Sequence, residues 1–409
     1  MLTARFPAGP DISADDLLAM LTQQPAEGPL AVGDDRVRDF LIAFSRQLLR
    51  PEISRRFPEL GSLGFFLRRG EIAKSIERLH DGSSGSRFVP RGLVLHFPPA
   101  NVDTIFVYSW AMSALAGNAN IVRISSRSAG AAEVVIDTLN ATLAQAHPAI
   151  GQTQRIVSYE RSDSVTASLS FACDLRVIWG GDRSVTDIRR HPLAPLARDL
   201  AFPDRSSFAA ISVRAWLAAE PETKRRAVEG FANDVYWFDQ AACSSPRALF
   251  WVGEPGRAQT AREEFMSMLP GIVAGRGWQV DAAMAVEKRV RSYGLAAEGA
   301  ASRVRFTGNA VADIDLASPA QLPRRWLGAG TICHATVGTL SDQVPLVRRK
   351  DQTLTQFGFS AQELDGFVTE VAGRGIDRIV PFGSALTFSG VWDGYDLLRE
   401  FTRQTTIWV

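Results

Sequence analysis

The chain has 409 residues, of which 46% are hydrophobic and 22% charged, and its 45 Lys and Arg against 44 Asp and Glu give a net charge of +1. This length predicts about two or three domains, and the near-neutral charge gives no reason to expect nucleic acid as a partner. No run approaches the roughly 18 apolar residues of a membrane span. Three widely spaced cysteines indicate neither a zinc site nor a disulfide framework, so we expect a cytoplasmic protein without a bound metal.

Residues 1–90 are predicted to form an accessory helical region. Apolar residues recur there at the i, i+3, i+4 spacing of amphipathic helices. The residues with this spacing are Leu17, Leu18, Leu21, Val37, Phe40, Leu41, Phe44 and Leu48. The segment HDGSSGSR at 80–87 lacks the Lys-Ser/Thr ending of a phosphate-binding loop, and we interpret it as a linker.

Residues 91–213 alternate short apolar strands with helical segments. The predicted strands are GLVLHF at 92–97, NIVRI at 120–124, RIVSY at 155–159 and LRVIW at 175–179, with helices at 102–116 and 130–145. Such alternation is typical of a parallel sheet whose strand ends meet along one edge. The region is therefore a candidate dinucleotide-binding domain.

The later part of the chain predicts a second α/β domain at 214–385. An amphipathic helix with Ala227, Val228, Phe231, Ala232 and Val235 on one face precedes a loop that contains Cys243 and then the strand ALFWV. The tail at 386–409 is apolar near its end. We expect the tail to contact another domain or a second copy of the chain in a homo-oligomer.

Cys243 stands in the segment DQAACSSPR, directly before a strand. Backbone N–H groups of such a loop can favour a thiolate and can also stabilise an oxyanion. Cys173 and Cys333 lie in or beside predicted apolar strands and are interpreted as core thiols. Cys243 is therefore the candidate nucleophile.

Polar residues follow three of the predicted strands in the first domain. Asn101 comes just before a buried helix, where it can cap that helix or donate its amide to a developing oxyanion. Arg123, Ser125 and Arg127 end the second strand, where cations and hydroxyls can bind an adenosine ribose or its 2′-phosphate. The pair Gly180 and Gly181 follows the strand at 175–179, where backbone N–H groups can approach a pyrophosphate.

The order of these segments resembles the aldehyde dehydrogenase superfamily, and most of all the LuxC-type acyl-CoA reductases of bacterial luminescence. The segments that carry the resemblance are GLVLHFPPANVDTIFVYSWAMSALAGNANIVRIS, VIWGGD, DQAACSSP and RIVPFGSALTFSGVWDGYDLLREFTRQ. The resemblance implies a Rossmann-type cofactor domain with a second, catalytic α/β domain.

The resemblance also implies roles for individual residues. Cys243 matches the family's acyl-accepting nucleophile and Asn101 its oxyanion donor. Arg123 stands where many aldehyde dehydrogenases have a lysine that contacts the adenosine ribose, with Ser125 two residues on. Gly180 and Gly181 match the turn over the cofactor phosphates.

The sequence departs from the superfamily at one position. Hydrolytic members have a glutamate that activates water, and the matching segment LAFPDRSS has Ala201 or Phe202 in its place. A site without that base suits acyl exchange with another thiol.

The resemblance and this departure together predict the reduction of an acyl-CoA, or another acyl thioester, to an aldehyde through an S-acyl-cysteine. NADPH is favoured as the cofactor because Arg123 and Arg127 can bind its 2′-phosphate, and an acyl-transferring partner protein is a further expectation. The alternatives are an acyl-phosphate reductase of the γ-glutamyl phosphate reductase type and a non-catalytic acyl-binding subunit.

Overall fold

The structure, a computed structural model, describes residues 1–80, 85–99, 105–126 and 130–408. The chain forms two compact units. Unit 1 comprises Met1–Pro203 and Phe388–Val409, and unit 2 comprises Asp204–Thr387. Over the described residues, every helix is too short or too polar to cross a membrane.

Unit 1 is built on a six-stranded sheet flanked by helices. The first segment of this unit contains seven strands, and all of them except β2 belong to this sheet. They are β1 (Thr3–Phe6), β2 (Ser86–Pro90), β3 (Leu93–Phe97), β4 (Ala119–Ile124), β5 (Gln154–Ser158), β6 (Leu175–Trp179) and β7 (Arg198–Phe202). The helices are α1 (Ala14–Leu21), α2 (Asp35–Leu48), α3 (Pro51–Ser54), α4 (Pro58–Phe66), α5 (Arg69–His80), α6 (Ile105–Leu115), α7 (Ala131–Leu143), α8 (Pro148–Thr153), α9 (Asp163–Ala172) and α10 (Asp182–Arg189).

The order of strands in this sheet is β1-β5-β4-β3-β6-β7. Strands β3 to β7 are parallel, and β1 joins the edge antiparallel to β5. The chain runs outward from β3 through β4 to β5, and then returns to the other side of β3 as β6. Loops that leave β3 and β6 therefore diverge, which opens a crevice at their carboxyl ends.

Unit 2 contains a seven-stranded sheet in the order β10-β11-β12-β9-β8-β13-β14. Its strands are β8 (Ser206–Ser212), β9 (Pro246–Val252), β10 (Ala301–Thr307), β11 (Val311–Leu316), β12 (Thr331–Val337), β13 (Asp351–Phe357) and β14 (Arg378–Pro381). Its helices are α11 (Val213–Ala218), α12 (Pro221–Tyr236), α13 (Pro255–Gly275), α14 (Ala282–Ala297) and α15 (Ala361–Val371).

All neighbouring strands of the second sheet are parallel except β10 and β11. Both faces of its central strand β9 are buried: Phe250 packs in the core on one face and Trp251 in the core on the other. Successive residues of a strand point to opposite faces, so a strand covered on both sides is continuously apolar, as ALFWV is.

The end of the chain folds back onto unit 1. Its elements are β15 (Val391–Trp392), β16 (Tyr395–Asp396), α16 (Leu397–Glu400) and β17 (Thr402–Thr406), and β17 pairs antiparallel with β2. Asp393 and Gly394 connect β15 to β16 with φ values of 49° and 78°. Two left-handed residues in a two-residue hairpin indicate a type I′ turn, which requires a residue such as glycine. The Trp-Asp-Gly motif is thus a hairpin turn.

The two compact units differ from the domains expected from the sequence, whose boundaries were at 90/91, 213/214 and 385/386. Strand β8, expected to close the first domain, pairs with β9 and β13 of the second sheet. Residues 1–90 supply β1 and α2 to unit 1 itself. Every residue of β8 is buried and its central run FAAI is apolar on both faces, so its pattern does not indicate which sheet it joins.

Candidate functional site

A cleft of about 330 Å³ lies at the carboxyl ends of the parallel strands of unit 1. Phe97 ends β3, Trp179 ends β6 and Tyr159 follows β5, and all three line the cleft. This volume is within the range of small-molecule pockets. The cleft is at the edge of the sheet where the divergence of the loops after β3 and β6 predicts a ligand site.

Three arginines line this cleft: Arg123, Arg161 and Arg190. Arg123 donates from Nη2 to the backbone oxygen of Tyr159 at 3.1 Å, and its guanidinium lies 5.2 Å from the centre of the Tyr159 ring. Arg190 pairs with Asp163 at 2.5 Å. The cations are suited to an anionic ligand such as a pyrophosphate or a ribose phosphate.

Gly180 and Gly181 also line the cleft, between Trp179 and the N-terminus of α10. Gly180 has a φ of 153°, which side-chain-bearing residues rarely adopt. Gly181 is the N-cap of α10 and provides no side-chain hydrogen bond to the first turn. The first N–H groups of α10 therefore receive no hydrogen bond from an N-cap side chain.

Three other residues were predicted to act in this region, and the structure does not place any of them in the lining of the cleft. Asn101 and Arg127 lie outside the described residues. Ser125 follows β4 and is half-buried, but it is not among the residues that line this cleft. Roles for these three residues remain predictions.

Trp179, which the sequence analysis did not single out, is held in the cleft by a buried polar network. Its indole N–H donates to Ser109 Oγ at 3.3 Å, and its ring stacks on Phe202 with the ring centres 3.7 Å apart. Ser109 Oγ lies 2.9 Å from His96 Nδ1, and His96 Nε2 lies 2.9 Å from Asn120 Oδ1. The position of Trp179 at the end of a predicted strand, directly before two glycines, was the feature of the sequence that could have indicated a residue of the cleft.

The proton positions in this network follow from its acceptors. The oxygen of Asn120 can only accept, so His96 must carry its proton on Nε2 and accept at Nδ1 from the Ser109 hydroxyl. Burial lowers the pKa of His96 to about 4, which keeps the ring neutral near pH 7. The network is therefore a neutral support for the wall of the cleft.

Cys243 lies in a turn of unit 2, directly before β9, and is half-buried. Its backbone oxygen accepts from Ser207 Oγ at 2.7 Å, which ties the turn to β8. Cys173 and Cys333, by contrast, are 2% and 0% exposed, and burial raises the pKa of each thiol to about 12. Cys243 is thus more exposed than the other two cysteines.

The backbone that leads into this turn has an unusual conformation. Phe238, Asp239 and Gln240 have φ values of 53°, 52° and 60°. The left-handed region costs about 1 kcal/mol or more for each such residue, so surrounding contacts must hold it. The Trp326 indole N–H supplies one contact by donating to the backbone oxygen of Asp239 at 2.8 Å.

The buried amide of Gln240 supplies the other contacts. Its Nε2 donates to the backbone oxygens of Pro246 and Thr331 at 2.7 and 2.9 Å, and its Oε1 accepts from Thr331 N–H at 3.0 Å. These bonds join the turn of Cys243 to the first residues of β9 and β12. Gln240 is part of the motif DQAACSSP, but the motif alone does not indicate this role.

The position of the missing water-activating glutamate lies on β7. Phe202 there is buried and stacked on Trp179. The two flanking carboxylates are ion-paired: Asp199 with Arg176 at 2.7 Å and Asp204 with Lys350 at 2.7 Å. The structure therefore assigns both carboxylates to ion pairs.

Comparison with known proteins gives matches of two kinds. The family model described as acyl-CoA reductase (LuxC) matches residues 62–275, just over half of the chain. A long-chain acyl-protein thioester reductase of Photorhabdus luminescens is 24% identical over 338 residues, which are 81% of this chain and 66% of that protein. Long-chain acyl-protein thioester reductase 2 of Photobacterium leiognathi is 24% identical over 44% of this chain and 36% of its own length.

Solved structures share the fold at low sequence identity. An NAD-dependent aldehyde dehydrogenase of Sinorhizobium meliloti superposes with a TM-score of 0.68 and 13% identity, over 97% of this chain and 87% of that one. An aldehyde dehydrogenase of Mycobacterium tuberculosis, solved with NAD⁺, gives a TM-score of 0.67 and 12% identity, over 98% and 91% of the two chains. These matches confirm the predicted aldehyde dehydrogenase-like fold. The chain belongs to the LuxC family of acyl-CoA reductases and has an aldehyde dehydrogenase-like fold.

Proposed function

We propose that this chain reduces an acyl thioester, most simply an acyl-CoA, to an aldehyde through an S-acyl intermediate on Cys243, with NADPH as the reductant. The observation that carries the proposal is the contrast among the cysteines: Cys243 is half-buried on a turn held by Ser207 and Gln240, while the other two are sealed in the cores. The names of the similar proteins, which are thioester reductases, support this choice of substrate class.

The acyl-transfer step uses residues of the chain alone. The Cys243 thiolate attacks the thioester carbonyl carbon, the carbon–sulfur bond to the donor thiol breaks, and that thiol leaves as a thiolate. Backbone N–H groups of the turn and the predicted donor Asn101 stabilise the oxyanion, at about 3–4 kcal/mol per donor. After reduction of the acyl carbon, the bond to Cys243 Sγ breaks, the aldehyde leaves and the thiolate is restored.

The cleft of unit 1 is proposed to bind the cofactor. Arg123 and Arg161 provide positive charge for an anionic dinucleotide beside the ion pair of Arg190 with Asp163, and the start of α10, which has no side-chain cap, can direct N–H groups at a pyrophosphate. When bound, a nicotinamide cofactor supplies the hydride that reduces the thioester carbon. Arg123, with the predicted Arg127, favours NADPH over NADH because a guanidinium can pair with the 2′-phosphate.

A panel of acyl donors tests the proposed reaction. We expect NADPH consumption with acyl-CoAs, at a rate that depends on chain length, and none with an acyl phosphate. The absorbance of NADPH and the amount of aldehyde formed measure the two sides of the reaction. Turnover of the acyl phosphate in preference to every acyl-CoA would instead support the acyl-phosphate reductase, and no turnover together with no NADPH binding would support the non-catalytic subunit.

The assignment of Arg123 predicts a specific kinetic change. Arg123→Ala is expected to raise the KM for NADPH about tenfold with little change in kcat, because a charged hydrogen bond contributes about 1.5–3 kcal/mol. Arg183→Ala is the matched control, since Arg183 is exposed on α10 and does not line the cleft. An unchanged KM in Arg123→Ala would remove Arg123 from the cofactor site.

The acyl donor in the cell and the assembly state are further parts of the proposal. The relatives are named for acyl-protein thioesters, so we propose that a partner protein delivers the acyl group. We also propose a homo-oligomer. The matched segments span 36% of the Photobacterium relative and 66% of the Photorhabdus relative, so features of the rest of those proteins are not carried over.

A further inference from the structure

Helix α14 of unit 2 contains a buried lysine, Lys288, which is only 1% exposed. Its Nζ donates to three backbone oxygens, those of Asn309, of Ala310 at 3.1 Å and of Ala329 at 2.8 Å. An ammonium group has three N–H donors, so each of them has an acceptor here. Burial lowers the pKa of Lys288 to about 8, so the charged form still dominates at pH 7.

The backbone comes this close to Lys288 because residues 328 and 330 are glycines. Gly328 has a φ of 109°, and a Cβ on it would lie 2.8 Å from Cβ of Lys288. Gly330 has a φ of 69°, and a Cβ on it would lie 2.0 Å from the backbone oxygen of Ala310. Both positions therefore require glycine. The segment 326–331, WLGAGT, is thus built to fit closely against the lysine.

A second cation of α14 holds the start of the same segment. Arg291 donates from Nη1 to the backbone oxygen of Trp326, and its guanidinium lies 4.9 Å from the centre of the Trp326 ring. A guanidinium over an indole ring is a favourable cation–π contact. Helix α14 therefore fixes residues 326–331 at two points, Trp326 and Ala329.

The segment 326–331 also holds the backbone that leads to Cys243. The Trp326 indole N–H donates to the backbone oxygen of Asp239 at 2.8 Å. Thr331 donates its N–H to Gln240 Oε1 at 3.0 Å, and its oxygen accepts from Gln240 Nε2 at 2.9 Å. Asp239 and Gln240 have left-handed backbones, which need such contacts to persist. Movement of this segment would therefore reach the turn of Cys243, three residues after Gln240.

We propose that Lys288 is a positioning residue for Cys243: its buried ammonium fixes residues 326–331, and these residues hold the left-handed backbone before the nucleophile. The inference rests on the proposed function only in taking Cys243 as the nucleophile. No bond is made or broken at Lys288. A purely structural Lys288 would instead stabilise unit 2 without changing how fast the folded protein reacts.

Two reactions of Cys243 separate these roles in Lys288→Met, since methionine is also long and unbranched but has no N–H to donate. S-acylation by a radiolabelled acyl-CoA requires the sulfur to be correctly placed, so its rate per folded protein at pH 7 should fall by about tenfold to a hundredfold. Alkylation by iodoacetamide depends on the exposure and ionisation of the thiol, so its rate should change by less than about threefold. Cys243→Ser gives the background of both reactions.

Arg289→Met is the matched control on the same helix. The contacts of Arg289 lie outside residues 326–331: its guanidinium is 4.6 Å from the centre of the Phe306 ring, and it donates to Gly308 and Asn309. Both rates should equal those of the parent protein.

Leu295→Ala controls for lost stability. Leu295 is 3% exposed in the core of unit 2, so this variant is destabilised, but it keeps the bonds of Lys288. Its acylation rate per folded protein should equal that of the parent protein. The proposal is overturned if Lys288→Met is acylated at the parent rate, or if Leu295→Ala loses as much of the rate as Lys288→Met does.

Arg291→Met replaces Lys288→Met if the latter does not fold. The Arg291 side chain is 34% exposed, so its loss should be tolerated. Acylation should again fall while alkylation does not, by about threefold or more because one of the two fixed points remains. Acylation at the parent rate overturns the proposal.

Failure of this inference is distinguishable from failure of the proposed function. Acylation of Cys243 in the parent protein together with an equal rate in Lys288→Met rejects only the role of Lys288. Equal acylation of Cys243→Ser and the parent protein rejects the nucleophile, and the role of Lys288 with it.

Discussion

Replacement of Cys243 by serine is expected to reduce S-acylation from a radiolabelled acyl-CoA by about a thousandfold or more, because a serine hydroxyl ionises far less readily than a thiol. Cys243 is half-buried in a turn, and serine is close to cysteine in size, so the fold should persist. Label retained on denatured protein measures acylation, and circular dichroism checks the fold.

Cys173→Ser and Cys333→Ser are the controls for this experiment. Both parent thiols are buried, and burial raises the pKa of each to about 12, so neither should accept the acyl group. Both variants should retain full labelling if they fold. Undiminished labelling of Cys243→Ser would contradict the assignment, and loss of labelling in a folded Cys173→Ser would transfer it to that residue.

Replacement of Gln240 by leucine is expected to lower the free energy of unfolding by about 3 kcal/mol, since hydrogen bonds to three buried backbone groups are lost at roughly 1 kcal/mol or more each. Those groups belong to Pro246 and Thr331, at the starts of the two strands beside the turn of Cys243. Release of the left-handed backbone at residues 238–240 should also displace Cys243, so acyl transfer should fall with stability. Urea unfolding and the labelling assay measure the two effects.

Gln321→Leu is the control, because Gln321 is exposed and its side chain donates to the backbone oxygen of Gly299 at 3.2 Å, its one hydrogen bond among the described residues. Its unfolding free energy should change by less than about 0.5 kcal/mol. Equal destabilisation by the two substitutions would show that the amide of Gln240 is not the contact that holds this turn.

Hydrophobic patterning was sufficient to predict elements that build the cleft of unit 1. LRVIW was predicted as a strand and forms β6, and the predicted helix at 130–145 contains α7. LRVIW is a short, mostly apolar run that ends at two glycines, and the helical segment repeats apolar residues at helical spacing, so local sequence and tertiary context agree in both. The Gly180–Gly181 turn was predicted for the same reason, because glycine marks it directly.

Features that depend on distant contacts could not be predicted in this way. Gln240 binds Thr331, 91 residues away in the sequence, and Arg247 contacts the backbone of Arg324, 77 residues away. A glutamine in a loop and an arginine at a strand start are ordinary surface residues by pattern alone. Their roles become visible only when the fold buries them.

The return of the chain to unit 1 has a consequence for its biosynthesis. Unit 2 is inserted between the two segments of unit 1, and the second segment supplies the strand that pairs with β2. Asn118 also donates to the backbone oxygen of Phe401 at 2.9 Å. During translation the ribosome completes every residue of unit 2 before it adds those that finish unit 1. Unit 1 therefore cannot complete its fold, and β2 lacks its partner strand and Asn118 its bond to Phe401, until the residues after unit 2 have been synthesised.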